Sequence, residues 1–97
     1  MNESVSRANC VVTGSVQAVG FRWWAAGQAD RLGLVGSAVN DYNGSVEIVV
    51  QGSRSAVDEF VQLLREHPST SRRPGRIHSV DVRYDVPDHS LRRFSTG

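Results

Sequence analysis

Apolar and polar residues alternate with a period of two from Ala8 through Val12, placing Cys10, Val12 and Gly14 on one side of an extended segment. This predicts a first β-strand over residues 8–15. From residue 21 to 32 the period changes to that of a helix. Ala25, Ala29 and Leu32 recur at helical spacing, and Gly33 supplies a stop. Gly27 within it is a weak point or a close-packing site. Residues 35–40 read as a second strand, followed by Asp41-Tyr42-Asn43-Gly44. Asn-Gly between two strand-like runs predicts a hairpin. A third strand follows over residues 45–51, where Val46, Ile48 and Val50 alternate with Glu47 and Val49.

Gly52 and Ser53 end that strand, and Ser53 or Ser55 can cap a second helix. It is expected to reach about residue 66, with Asp58 and Glu59 in its first turn and an apolar stripe of Val57, Phe60, Val61 and Leu64. Pro68, Pro74 and a Ser/Thr/Arg cluster make residues 67–75 a loop. Alternation returns over residues 77–86, with Ile77, Ser79 and Asp81 on one side and His78, Val80, Val82 and Tyr84 on the other. Residues 91–94 are expected to add an edge strand. The order βαββαβ predicts an α+β ferredoxin-like sandwich: an antiparallel sheet with both helices on one face and its other face open to solvent. Residues 1–7 are polar and are expected to form a disordered tail, leaving residues 8–97 as one domain.

Composition narrows the chemistry by exclusion. With 97 residues and a net charge of +1, the chain has one compact core and no strong field for nucleic acid or an anionic membrane. Every basic residue is arginine, so neither Schiff-base chemistry nor a lysine-dependent phosphate loop is available. Cys10 sits inside an apolar strand with no activating neighbour, which predicts a buried, inert thiol. No apolar run approaches a membrane span and no signal peptide is apparent, so a cytoplasmic monomer is expected. His67, His78 and His89 stand apart without a second ligand at helical spacing, so no metal is expected. The nucleotide-binding glycine motifs and the nucleophile elbow are absent too.

What remains is the strand-to-helix turn Gly14-Ser15-Val16-Gln17-Ala18-Val19-Gly20-Phe21-Arg22. Such a turn aims free backbone N–H groups and the positive end of a helix dipole at one point, which suits an oxyanion. Arg22 adds a planar fork that matches phosphate or carboxylate, and its position at a helix start is otherwise mildly unfavourable. Asn40, where the second strand meets the hairpin, is the best candidate for placing water, because a carboxamide both donates and accepts. Without further context an Asn beside a turn is usually just a turn former. Trp23 and Trp24 point about 100° apart on a helix, so one is expected to pack inward and the other to lie at the surface.

Three motifs in register resemble the acylphosphatase family: Gly14-x-Val16-Gln17-x-Val19-Gly20-Phe21-Arg22, Ala29-x-x-Leu32-Gly33-Leu34-x-Gly36, and Asn40-x-x-Asn43-Gly44-x-Val46-Glu47. The resemblance implies a ferredoxin-like fold and hydrolysis of small acyl phosphates to carboxylate and inorganic phosphate, without metal or cofactor. By position it implies that Arg22 holds the phosphate with backbone N–H groups of Val16, Gln17, Ala18, Val19, Gly20 and Phe21. Asn40 would hold the attacking water. Ala18 stands where the family usually has glycine, Ser37 and Val39 where a tryptophan and a basic residue are common, and Asn43 where aspartate is usual. If position 18 needs a positive φ, alanine costs about 1–2 kcal/mol there. A catalytically weakened acylphosphatase-like domain is therefore one alternative. A non-catalytic ferredoxin-like RNA-binding module is another, although the aromatics it needs on adjacent strands are absent.

Overall fold

A computed structural model of the chain describes residues 4–17 and 20–97. The elements run β1 (Val5–Ser15), α1 (Phe21–Arg31), β2 (Val35–Asn40), β3 (Val46–Ser53), α2 (Arg54–Arg65), β4 (Arg76–Asp85) and β5 (Phe94–Ser95). The strands form one sheet in the order β4-β1-β3-β2-β5. The central pairings are antiparallel, as expected, but β5 joins β2 in parallel, so the sheet is mixed rather than wholly antiparallel. The reason is the route of the chain. After β4 at one edge it crosses to the opposite edge, guided by the buried Gln51 carboxamide, which accepts from Asp88 N at 2.8 Å and donates to Asp88 O at 2.9 Å. Gly36 N then donates to Arg93 O at 3.0 Å and starts the parallel pairing.

Alternation decides which face is buried. Ala8, Cys10 and Val12 of β1, Ala38 of β2 and Val46, Ile48 and Val50 of β3 form one core with Phe21, Trp24, Ala25 and Ala29 of α1 and Val57, Phe60, Val61 and Leu64 of α2. Both helices thus cover the same face. Cross-strand partners such as Cys10 with Ile48 and Val12 with Val46 stack apolar side chains against the helices. The opposite face carries Glu47, Asp81 and Arg83 exposed to solvent. Trp24 knits the two helices: its ring lies 5.5 Å from Phe21 and 6.2 Å from Phe60, and its Nε1 donates to Ser71 O at 3.2 Å. Trp23 is 79% exposed, so the tryptophan pair divides as its helical phase predicts.

Four local expectations change. The first strand begins at Val5, not residue 8, because residues 5–7 of the expected tail pair with Ser53, Gly52 and Gln51, and Arg7 meets Asp85 at 2.7 Å. Residues 1–3 lie outside the described residues. Asp58 and Glu59 fall in the second turn of α2, since Ser53 is the cap (Ala56 N donates to its Oγ at 3.3 Å) and Arg54 opens the helix. There Asp58 pairs with Arg54 four residues earlier, at 3.0 Å. Ile77 lies with Val80 and Val82 against the core rather than opposite them, because a bulge inserts one extra residue into β4. Gly27 has open space around it, so it is not a close-packing site. No helix among the described residues is long and apolar enough to cross a membrane.

Candidate active site

The bulge that reorients Ile77 also shapes the turn after β1. Thr13 pairs with Ser79, but the next residue, Gly14, pairs with Ile77. Gly14 has φ 132°, and a Cβ there would collide with the carbonyl of Arg76 and lie 2.7 Å from His78 N. Only glycine fits so close an approach of two backbones. From it the chain leaves the sheet through Ser15 and Val16, whose side chain is buried and anchors the start of the turn. Ala18 and Val19, two members of the expected cradle, lie outside the described residues.

The turn ends at Gly20, which adopts the left-handed conformation (φ 84°, ψ 10°) as the N-cap of α1. Glycine has no side chain with which to cap, and no acidic residue occupies the first turn of α1. The first N–H groups of the helix and its dipole are therefore turned toward the turn without a neutralising side chain. Arg22 sits one residue into this helix, half-buried. Its Nη1 donates to Thr96 O at 2.6 Å, and no acidic side chain among the described residues pairs with it. Because β5 lies beside Gly36 and Ser37, that carbonyl carries the guanidinium alongside the second half of β2.

Asn40 ends β2, opposite Val46. Gly36 and Ala38, of the same parity, face the helices, so Asn40 projects from the helix-covered face just beyond the core, where it is exposed. The row Asn40, Val46, Val12 and Val80 runs across four strands, and Gly14 lies two residues further along β1. Asn40 and the turn after β1 thus occupy the same end of the same face. The hairpin after Asn40 is firmly closed. Asp41 N donates to Ser45 O at 2.9 Å and Gly44 N to Asp41 O at 3.0 Å, while Asn43 Oδ1 accepts from Ser45 N and Ser45 Oγ. Asn43 therefore carries out the turn chemistry expected of the residue it replaces.

One side chain spans the two segments. Gln17 Nε2 donates to Asp41 O at 2.5 Å and to Ser45 O at 2.9 Å, tying the turn after β1 to the hairpin after β2. Sequence reasoning singled out Gln17 only as a stretch of loop backbone, and it missed Thr96 altogether. Neither contact has a local signal, since they join residues 24, 28 and 74 positions apart.

Electrostatically Arg22, the start of α1 and Asn40 bring a guanidinium, amide dipoles and a neutral carboxamide to this end of the face, a set that favours an oxyanion. Among the described residues, no group of three His, Cys, Asp or Glu side chains comes together to hold a metal. Cys10, the one thiol, is buried in the core beneath the sheet's helix face, and burial pushes its pKa up to about 11. It is in no position to act as a nucleophile here.

The acylphosphatase family model matches residues 8–96, almost the whole chain. The chain belongs to the acylphosphatase family. An acylphosphatase of Corynebacterium glutamicum (strain R) is 42% identical over 81 residues, covering 84% of this chain and 86% of the relative. One from Mycobacterium avium (strain 104) is 39% identical over 94 residues, covering 97% of each. Among solved structures, the crystal structure of acylphosphatase from Bacillus subtilis superposes with a TM-score of 0.80 at 26% identity, covering 97% of this chain and 99% of that one. The acylphosphatase from Coxiella burnetii gives 0.79 at 26% identity, covering 96% and 93%. Membership places the chain in a hydrolase family that acts on acyl phosphates, and its fold is the ferredoxin-like one its residue pattern predicts.

Proposed function

We propose that the phosphoryl group of a small acyl phosphate sits at the start of α1, held by the Arg22 guanidinium and by backbone N–H groups between Val16 and Phe21. Asn40 places the attacking water. The observation that carries this reading is the convergence, at one end of the helix-covered face, of an uncapped helix start, a guanidinium without an acidic partner and an open carboxamide. The stretch includes Ala18 and Val19, whose contribution follows only from the family's motif.

The chemistry asks little of the protein beyond placement. A carboxylate is a good leaving group, so the phosphorus–oxygen bond to the acyl oxygen breaks as the bond to water forms. Negative charge accumulates on the phosphoryl oxygens in a loose transition state. Arg22 and the amide dipoles stabilise that charge without reorganising, and Asn40 fixes the water in line. The water's proton passes to a phosphoryl oxygen of the substrate, so the step needs no separate general base. The protein is expected to do this as a cytoplasmic monomer, and its near-neutral charge argues against a nucleic-acid partner.

Release of inorganic phosphate from acetyl phosphate, with divalent metals chelated, tests the proposal when run beside a salt-dependent RNA titration. Turnover in chelator with no RNA binding is the expected result. Dependence on added metal would overturn it, and so would RNA binding in place of turnover.

A further inference from the structure

Gln17 makes contacts that the proposed chemistry does not use. Its amide nitrogen has two hydrogens, and both are engaged, one on Asp41 O and one on Ser45 O. These carbonyls are the pair that closes the hairpin: Asp41 O already accepts from Gly44 N, and Ser45 O from Asp41 N. Each uses its second lone pair on Gln17. The carboxamide therefore sits astride the neck of the turn, half-buried, at the residue that directly follows Asn40. Val16, its neighbour on the other side, is fully buried, so the clamp is anchored in the core.

Among the described residues, Asn40 itself has only one strand beside it at that height. It pairs with Val46 on β3, whereas β5 reaches only Gly36 and Ser37. The end of a strand flanked on one side is free to hinge, and a displacement of ~1 Å in a group that positions a reactant can cost on the order of 10² in rate. We propose that Gln17 is a positioning residue that fixes Asn40, through the peptide of Asp41, at a set distance from the phosphate cradle. The inference rests on the reading of Asn40 given above. It assigns the Gln17 side chain to water placement, separate from any part its backbone N–H plays in holding phosphate.

The test is steady-state kinetics on acetyl phosphate, with inorganic phosphate as competitive inhibitor, for Gln17→Met, Asn40→Ala and the double variant. Gln17→Met keeps the length and packing of the side chain but removes both donors. It should lower kcat about tenfold while KM and the phosphate inhibition constant stay within about threefold. In the Asn40→Ala background the same change should lower kcat by less than about twofold, because a residue that acts through another has nothing left to act on. Gln17→Glu adds a readout that packing alone would not move. As a carboxylate it donates nothing, but its protonated form can donate to one carbonyl, so its kcat relative to wild type should recover as pH falls.

An unchanged kcat in folded Gln17→Met overturns the inference. So does a loss that adds in full to that of Asn40→Ala, or phosphate inhibition that weakens as much as kcat falls. If Gln17→Met does not fold, Gln17→Glu decides, and a kcat ratio flat with pH overturns the inference. Full kcat in Asn40→Ala alone strikes at the role of Asn40 itself, and is distinguishable from all of these.

Discussion

Asn40 and Cys10 illustrate how place decides the chemistry of a residue. The Cys10 thiol is intrinsically the stronger nucleophile, yet burial in the core leaves it almost wholly protonated at neutral pH. Asn40 is chemically mild, but it stands exposed at the end of β2 on the face from which α1 starts. On the proposed reading its carboxamide orders water without holding phosphate, so Asn40→Ala should lower kcat, by about tenfold or more, with KM nearly unchanged. A rise in KM at constant kcat would assign Asn40 to substrate binding instead. Asn43 and Val39 are two of the positions at which this chain departs from the family's usual residues. Asn43 still closes the turn through its Oδ1, and Val39 lies exposed on the open face of the sheet, pointing away from α1.

Among the elements, the strand-to-helix unit made of β1, the turn and α1 carries most of the site, and Gly14 is its hinge. Both its φ and the nearness of the Arg76 carbonyl exclude a Cβ. Gly14→Ala should therefore destabilise the fold by roughly 2–4 kcal/mol, from left-handed strain plus local overpacking. Denaturant unfolding would register this as a lower midpoint at constant slope; an unchanged midpoint would mean that the bulge can relax at no cost. The elements themselves were largely legible in the sequence, because period-two alternation and the helical stripe of α2 are set by which face meets the core. The bulge was not. Residues 77–86 alternate cleanly in sequence, and only the pairing of Gly14 with Ile77 reveals the extra residue. The start of β1 was hidden for a related reason: residues 5–7 are polar, and partners distant in sequence hold them in the sheet. Of the candidate site, Arg22 and Asn40 stood out from residue type and position, and their proposed roles await the kinetic tests. The Gln17 and Thr96 contacts were not, since each depends on a segment brought in by the fold.

At the scale of the molecule, long-range polar clamps hold the sheet's edges and its crossing segment. Asp85 lies below the ordinary carboxylate range because its carboxylate accepts from Val86 N and from Arg7, and Asp88 is lowered by the hydroxyl and amide of Ser90. Both carboxylates bind protons more weakly folded than unfolded. Their stabilising contribution is therefore complete above the ordinary aspartate value of 3.8 and disappears as pH falls through their lowered values. Thermal unfolding followed from pH 6 downward should show Tm level at first and falling below about pH 4; a Tm that rises on acidification would contradict this assignment of charges. The same long-range architecture brings together β1's turn, the start of α1 and the end of β2, and the central claim is that this convergence makes a phosphate cradle around Arg22. The most direct measurement is kcat/KM of Arg22→Ala on acetyl phosphate, with folding verified by circular dichroism. Loss of one preorganised donor to the transition-state oxyanion predicts a fall of at least ~10²-fold; turnover close to that of the unmodified protein would contradict the account.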